Sequence, residues 1–409
     1  MRWLAICALA LLAVPGHAHT TGRHWVSAFA APPTEKLPAE TVVGGRTIRQ
    51  VMRVQASGHR LRLRLSNAEN ADPLRIDSAT IGGVRATFNG QAATVIAPGA
   101  PLFSDPVARP VKAGERIELR LFLPDEATRP TIHWYGLDTA FISPPGDFTV
   151  GTDFPVATTS SFRFILSGID VEQATPMPVI AVVGDSITDG YGATIDGDVR
   201  WPDLLARRVA AAKRPASVVN AGIGGNRLLR DGTFTGAGRA LLARFGDDVL
   251  SLGGVRTMIV LIGINDLGWP GSLNRDGTQR APATDLPAAG EVIDGYCQVV
   301  TRAHARDIQV IGATLLPFGG EERSHFFTPA KDAIRDEINA RLRRGACFDG
   351  LIDFDAALRD PAHPDRLLPA YDSGDHVHPS LAGYAAMAAA VDLKLLDQGA
   401  TAMASTSIK

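Results

Sequence analysis

The sequence lacks the features that would place the protein in a bilayer or on nucleic acid. Beyond residue 18 no apolar run is long enough to span a membrane, and 41 basic against 43 acidic side chains leave a formal charge of -2. A charge this close to zero, without a basic stripe, argues against nucleic acid and against an anionic membrane surface as partners. With 45% apolar and 21% charged residues, the composition is typical of a soluble globular protein.

Residues 1–18 are predicted to be a cleavable signal peptide. Arg2 precedes a short apolar run from Trp3 to Val14, and Gly16-His17-Ala18 provides a cleavage point after Ala18. The run is too short to form a transmembrane helix; a buried N-terminal strand or helix is the alternative. We therefore expect a secreted or periplasmic protein without stable membrane insertion.

Cysteine is scarce, with three residues in the whole chain. Cys7 falls within the predicted signal peptide, which leaves Cys297 and Cys347 in the mature protein. In an oxidising compartment these two residues could form a disulfide. Since the sequence gives no distance between them, a disulfide and two buried thiols both stay open at this point.

A chain of 409 residues predicts two domains. Residues 24–167 are predicted to form an all-β, sandwich-like domain, because short alternating runs are separated by turn signals such as Asn89-Gly90. In residues 60–65 and 116–121, arginine or glutamate alternates with leucine or isoleucine. We interpret the arginines as the solvated face of a half-buried sheet; a polyanion-binding surface is the alternative.

Residues 168–178, which end in Pro176-Met177-Pro178, are predicted to be a linker. In residues 179–397, short apolar runs alternate with helical patterns, which predicts a doubly wound, mostly parallel five-stranded sheet in an α/β domain. Residues 398–409 are expected to be a disordered tail. The predicted strands span residues 179–183, 217–220, 257–263, 308–314 and 351–354, and the predicted helices span 201–212, 240–250, 286–305, 330–344 and 381–396.

Four polar or glycine-rich segments lie after predicted strands or directly before the last helix. They are Gly184-Asp185-Ser186, residues 220–226, residues 263–266 and residues 375–380. In a doubly wound sheet, loops at the carboxyl ends of the strands meet at one edge. We therefore expect these four segments to form a single site.

The residue types in these segments suit acyl transfer to water. Ser186 can act as a nucleophile if a base removes its proton, and His378 can serve as that base near neutral pH. Asp375 lies three residues earlier and can orient the imidazole. Backbone at Gly225, the Asn265 amide and the Ser186 N–H can donate to the oxyanion of a tetrahedral intermediate.

The four segments and their order resemble the SGNH, or GDSL, hydrolase superfamily over about residues 178 to 396. The resemblance implies a flavodoxin-like fold, a nucleophile at Ser186, a base at His378 and an orienting carboxylate at Asp375. It also implies oxyanion-hole donors at Ser186, Gly225 and Asn265, with no metal or organic cofactor. The first segment continues with isoleucine where the family name has leucine. The β region resembles the additional domain of some exported bacterial members.

Alternative interpretations of these residues involve the same segments. His376 competes with His378 as the base, but its spacing from Asp375 does not fit Asp-x-x-His. Asp375 with both histidines could bind a metal, although a third well-spaced ligand is not evident. Ser186 alone could be a helix cap. The sequence contains no Gly-x-Ser-x-Gly, which argues against the nucleophile elbow of an α/β-hydrolase.

The substrate is predicted less directly than the reaction. Asp185, Asn226, Arg227 and Trp269 lie in or next to these segments and are candidate substrate-binding residues. The adjoining loops are polar and lack a long apolar stretch, which favours a short acyl group on a hydrophilic alcohol such as an acetylated carbohydrate. A lysophospholipase, a thioesterase and an inactive carbohydrate-binding protein are the alternatives, and the oligomeric state stays open.

Overall fold

The computed structural model describes residues 23–234, 236–321 and 324–396. The predicted signal peptide and the predicted C-terminal tail lie outside these residues. Two regions follow each other along the described chain. We refer to residues 23–173 as the β domain and to residues 179–396 as the α/β domain.

The β domain is built from short antiparallel strands. Two sheets dominate it, one of four strands in the order β1-β15-β4-β9 and one of six strands in the order β13-β12-β3-β10-β6-β7. Strands β14, β11 and β2 form a third sheet, and β5 pairs with β8. The strands in the described residues are β1 (His24–Ala30), β2 (Glu35–Lys36), β3 (Arg46–Arg53), β4 (Leu61–Ser66), β5 (Leu74–Ile76), β6 (Ser78–Ile81), β7 (Val84–Arg85), β8 (Thr94–Ile96), β9 (Pro101–Phe103), β10 (Arg116–Leu123), β11 (Thr131–His133), β12 (Ala140–Pro145), β13 (Thr158–Ser160), β14 (Arg163–Phe164) and β15 (Leu166–Gln173).

The prediction that residues 168–178 form a linker is wrong for their first half. Residues 168–173 belong to β15, which pairs with β1 on one side and with β4 on the other. Asp170 and Glu172 on this strand accept hydrogen bonds from Arg62 and Arg60. Arg62 on β4 and Arg60 just before it are therefore paired with carboxylates rather than simply solvated. Residues 174–178 connect the two domains.

The α/β domain has the predicted doubly wound architecture, and the fold class is confirmed. Its five parallel strands lie in the order β17-β16-β18-β19-β20. The strands are β16 (Val179–Gly184), β17 (Ser217–Gly222), β18 (Val255–Leu261), β19 (Gln309–Ala313) and β20 (Gly350–Ile352), and the helices are α1 (Ser186–Asp189), α2 (Trp201–Ala211), α3 (Leu241–Phe245), α4 (Ile264–Gly268), α5 (Ala289–His304), α6 (Pro329–Arg343), α7 (Phe354–Leu358) and α8 (Leu381–Ala390).

Helices cover both faces of the parallel sheet. Successive side chains of β16 point to opposite faces, and all of them are buried. Val179 and Val183 pack into one buried cluster together with α3, α5 and α6, whereas Ile180 and Val182 pack into a second cluster together with α2, α7 and α8. The first cluster also contains the interior of the β domain. The two domains therefore share one continuous core.

Two of the predicted helices are divided or end early. The predicted helix over residues 240–250 consists of α3 followed by a π-helical turn, Gly246–Leu250. The predicted helix over residues 381–396 ends at Ala390, because Val391 takes an extended conformation. A separate 3-10 turn, Leu393–Leu396, follows it.

Backbone and side-chain hydrogen bonds join the domains beside β1 and β17. The Ser27 backbone N–H donates to the Gly253 carbonyl oxygen at 2.9 Å, and the Ser217 hydroxyl donates to the Ser27 carbonyl oxygen at 2.8 Å. Within the α/β domain, Cys297 and Cys347 form a disulfide, with their Cα atoms 5.3 Å apart. No helix in the described residues combines the length and apolar character needed to cross a bilayer.

Candidate active site

Ser186 lies where the strand order of the parallel sheet reverses. The chain passes from β16 to its neighbour β17 and then crosses to β18 on the other side of β16, which creates a crevice at the carboxyl ends of these strands. Gly184 ends β16 without a side chain because a Cβ there would come within 2.3 Å of the Leu261 carbonyl oxygen. Because glycine leaves room for this contact, α1 begins two residues after Gly184, with Ser186 as its first residue.

The structure brings the three predicted residues Ser186, His378 and Asp375 together. Ser186 Oγ lies 2.7 Å from His378 Nε2, and His378 Nδ1 lies 2.6 Å from Asp375 Oδ2. These contacts span 192 residues of sequence between the serine and the histidine. The hydroxyl, the imidazole and the carboxylate thus form one hydrogen-bonded chain.

Asp375 is held in its ionised form. Its Oδ1 accepts the backbone N–H groups of Val377 and His378 at 3.0 and 2.8 Å, and it also accepts the hydroxyl of Ser373. Partial burial by itself would raise the pKa of Asp375, but the hydrogen bond and charge of His378, with these backbone donors, lower that pKa well below its ordinary value. An ionised Asp375 keeps the proton of His378 on Nδ1, so Nε2 is free to accept from Ser186.

His376 does not take the place of His378. Its Nδ1 lies 2.7 Å from Asp372 Oδ2, and its side chain is 47% exposed. Among the residues that the structure describes, no group of three or more His, Cys, Asp or Glu side chains is arranged to hold a metal ion.

Gly225 and Asn265 both border the space in front of Ser186. Gly225 has φ of 74°, a conformation that favours glycine. Asn265 is the second residue of α4, which follows β18 after a two-residue turn, and its Nδ2 donates to the Asn226 carbonyl oxygen at 3.0 Å. An amide nitrogen carries two hydrogens, so one remains for a ligand in the cavity.

Three of the four predicted substrate-binding residues instead have structural partners. Asp185 is buried and caps α1 by accepting the N–H of Ile187. Asn226 is fully buried and donates to two carbonyl groups of the following loop. Arg227 is buried and donates to the Asp231 carbonyl oxygen. None of the three lines the cavity: Asp185 satisfies the first turn of α1, and Asn226 and Arg227 satisfy backbone carbonyl groups of the loop that follows them.

Trp269, the fourth predicted residue, lines a cavity of about 350 Å³ in front of Ser186. The Arg280 guanidinium lies 4.8 Å from the ring centre of Trp269. Sequence reasoning missed most of the cavity wall, since single aromatic residues in loops carry no pattern that distinguishes them. The missed lining residues are Tyr135, Tyr191, Phe234, Arg280, Glu321, Ser324, Phe326 and Val377.

Solved structures are similar to about half of this chain. One is an α/β hydrolase enzyme from the metagenome of Lake Arreo, Spain, with 24% identity over 53% of this chain and 94% of that one, at a TM-score of 0.37. Another is a carbohydrate acetylesterase family member from Sinorhizobium meliloti, with 16% identity over 55% and 99% and a TM-score of 0.42. A third is a lipolytic protein of the G-D-S-L family from Veillonella parvula, with 16% identity over 52% and 95% and a TM-score of 0.37.

A search of curated proteins found no match to the chain. The family model of the GDSL-like lipase/acylhydrolase family matches residues 182–386. That segment contains Ser186, Gly225, Asn265, Asp375 and His378. Because it makes up half of the 409 residues, the chain belongs to the GDSL-like lipase/acylhydrolase family.

Proposed function

We propose that this protein is an exported serine esterase that hydrolyses carboxylic esters through an acyl-enzyme on Ser186. One observation carries the proposal: the hydrogen-bonded chain from Ser186 through His378 to Asp375 opens directly onto the cavity. A serine becomes a nucleophile when a base accepts its proton and a third group orients that base. The Ser186–His378 and His378–Asp375 distances are both those of hydrogen bonds.

In the first step, Ser186 Oγ attacks the ester carbonyl carbon as its proton moves to His378 Nε2. The carbonyl oxygen becomes an oxyanion, which accepts hydrogen bonds from the Ser186 and Gly225 N–H groups and from Asn265 Nδ2. Donors fixed in advance stabilise this charge without reorganising. His378 then gives its proton to the leaving alcohol, and the acyl group stays on Ser186.

In the second step, water replaces the alcohol. His378 accepts a proton from the water as the water attacks the acyl carbon, and a second oxyanion forms at the same donors. When this intermediate collapses, the proton returns from His378 to Ser186 Oγ and the carboxylic acid leaves. Asp375 keeps its negative charge throughout and stabilises the imidazolium of each step.

The cavity supports a small ester as the substrate. Its volume of about 350 Å³ lies near the lower end of the range for small-molecule sites. Aromatic rings of Tyr135, Tyr191 and Trp269 line it beside the polar groups of Arg280 and Glu321, a mixture that suits a hydroxyl-rich alcohol. We therefore propose short acyl chains, such as acetyl groups on a carbohydrate, as the preferred substrates.

Export is proposed from two features of different kinds. The first 18 residues have the charge and apolar pattern of a signal peptide. The Cys297–Cys347 disulfide fits an oxidising compartment, where such bonds form and persist.

The serine is tested by replacing it. We expect Ser186→Ala to lower kcat for p-nitrophenyl acetate by about 10⁴-fold or more while the protein stays folded. A fluorophosphonate should label the wild type but not this variant. Ser57→Ala, at an exposed serine of the β domain, is the matched control and should retain activity and labelling. Near-normal hydrolysis by Ser186→Ala would exclude the proposed nucleophile, and a preference for octanoyl over acetyl esters would exclude the short-acyl assignment.

A further inference from the structure

A histidine of the β domain reaches into the α/β domain behind Ser186. His133 ends β11, and its side chain is only 5% exposed. Its Nε2 lies 3.0 Å from Oδ1 of Asp189, the last residue of α1, whose side chain is 3% exposed. Its Nδ1 lies 2.8 Å from the Pro32 carbonyl oxygen. Both ring nitrogens are therefore in hydrogen bonds inside the domain interface.

The partners determine the direction of these hydrogen bonds. The Pro32 carbonyl oxygen can only accept, so Nδ1 carries a hydrogen. An ionised Asp189 also only accepts, so Nε2 then donates as well. His133 thus bridges the Pro32 carbonyl oxygen and the Asp189 carboxylate through its two ring nitrogens.

The second oxygen of Asp189 connects this interface to the oxyanion donors. Asp189 Oδ2 accepts the backbone N–H of Gly224 at 2.8 Å. Gly224 directly precedes Gly225, whose N–H is the donor proposed above. A displacement of Asp189 would therefore shift the peptide next to that donor.

Tyr135, two residues after His133, contacts the same loop. A Cβ on Gly224 would come within 2.2 Å of the Tyr135 ring, so the ring lies directly against the backbone of this glycine. The ring also lines the cavity and packs against Tyr191 with centroids 5.8 Å apart. The β domain thus contacts the loop through a ring on one side and through Asp189 on the other.

We propose that His133 is a positioning residue for ester hydrolysis, which sets the Gly225 donor through the contacts His133–Asp189–Gly224. The β domain is then part of the active site rather than an appendage. This inference rests on the proposed function, because it assigns the Gly225 N–H to the oxyanion. Small displacements of such groups cost up to about 10²-fold in rate, and the loss of one donor costs about 10²–10³-fold.

Two isosteric substitutions separate the two hydrogen bonds of His133. In His133→Gln, the amide nitrogen takes the place of Nε2 and can still donate to Asp189. In His133→Asn, the shorter side chain can still donate to Pro32 but does not reach Asp189. We expect kcat for p-nitrophenyl acetate to fall by about 10- to 100-fold in His133→Asn and by less than about 3-fold in His133→Gln, with KM in both within about 3-fold of the wild-type value.

A purely structural contact would not produce this order. Arg53→Ala is the matched control, because it removes an interdomain ion pair with Asp198, at 2.8 Å, away from the cavity. We expect it to lower the Tm without lowering kcat. Equal kcat values for the two His133 variants, wild-type kcat in His133→Asn, or an equal loss in Arg53→Ala would overturn the proposal.

The remaining outcomes are also decisive. If His133→Asn does not fold while His133→Gln does, the bond to Asp189 serves domain stability and the proposal is overturned. Labelling of the wild type by a fluorophosphonate distinguishes a failure of the proposed esterase function from a failure of the positioning role of His133. A wild type that resists labelling contradicts the proposed function, whereas a labelled wild type with an unaffected His133→Asn contradicts the positioning role alone.

Discussion

Burial of the Asp185 carboxyl predicts a variant that is more stable than the wild type at alkaline pH. The side chain is 1% exposed, and its Oδ1 accepts the Ile187 N–H at 3.0 Å. Burial raises the pKa of Asp185 to about 7, and the nearby negative charges of Asp266 and Asp189 act in the same direction. The hydrogen bond from Ile187 opposes this rise without cancelling it. Asparagine at this position keeps an oxygen that accepts from Ile187 but has no proton to lose.

The sign of the effect follows from the two protonation states. Asp185 titrates near its ordinary pKa of 3.8 in the unfolded chain and near 7 in the folded protein. Between these values the folded protein binds the proton more tightly, so the free energy of unfolding of the wild type falls as pH rises. The full difference corresponds to about 4 kcal/mol, reached above the folded pKa. Asp185→Asn does not incur this loss, so its advantage is small near pH 4 and largest in alkaline solution.

Urea unfolding of both proteins at about pH 4.5 and about pH 8.5 measures this difference, and the advantage of Asp185→Asn should grow by about 3 kcal/mol between the two. Asp125→Asn removes the same charge from an exposed position and is the matched control. The free energy of unfolding of Asp125→Asn should change between the two pH values as that of the wild type does. If Asp185→Asn loses stability in parallel with the wild type, burial does not hold the proton on Asp185 and the reasoning is refuted.

Three further variants test the site and its support. Asn265→Ala should lower kcat by about 10²–10³-fold with a smaller change in KM, and an unchanged kcat would remove Asn265 from the oxyanion hole. Asn226→Ala leaves two buried carbonyl groups and the Arg244 guanidinium without this partner, so urea unfolding should show a loss of about 3 kcal/mol; a loss below about 0.5 kcal/mol would contradict that role. Replacing Cys297 and Cys347 by alanine opens a crosslink across 50 residues and should destabilise the protein by about 4 kcal/mol in the chain-entropy model; the Tm should fall below that of oxidised wild type and match that of reduced wild type.

The positions of Ser186, Gly225 and Asn265 could be predicted from the sequence because topology places them. Each follows a strand of a parallel sheet, and the carboxyl ends of such strands share one edge. Asp375 and His378 come from a loop whose place depends on α8, yet their spacing of three lets the carboxylate reach the imidazole. Local chemistry and strand order together were sufficient for this part of the site.

The contacts of Asn226 and Arg227 could not be predicted in the same way. Both follow Gly225 in sequence, but adjacency does not fix the direction in which a side chain points. The sharp turn at this loop buries several backbone carbonyl groups, and a buried carbonyl needs a donor. These two polar side chains satisfy that need and leave the cavity to more distant residues.

Sequence patterns give even less indication that His133 and Tyr135 lie next to the site. His133 ends a three-residue strand of the other domain, Tyr135 follows two residues later, and His133 contacts Asp189 across 56 positions of sequence. No periodicity marks a single histidine in a β region as an active-site neighbour. Residues 168–173 were also hard to predict. Their composition is typical of a linker, yet they belong to β15, which lies between two other strands of its sheet.

Buried carboxylates link the stability of this protein to the rigidity of its site. Asp185 accepts the N–H of Ile187, Asp189 accepts that of Gly224, and Asp266 accepts those of Leu228 and Leu229. Each carboxylate therefore fixes backbone beside Ser186 or Gly225. Burial raises the pKa of Asp185 to about 7 and that of Asp266 to about 6, which means that ionising them in the folded protein costs stability near neutral pH.

A neutral amide could make one such bond without this cost, but a carboxylate offers two strong acceptor oxygens to converging donors. Asp266 uses both oxygens on consecutive N–H groups, and Asp189 uses one for Gly224 and the other for His133. Preorganised donors stabilise an oxyanion only if the backbone that carries them stays in place during the reaction. The stability lost to buried charge is thus tied to the fixed geometry that the proposed hydrolysis requires.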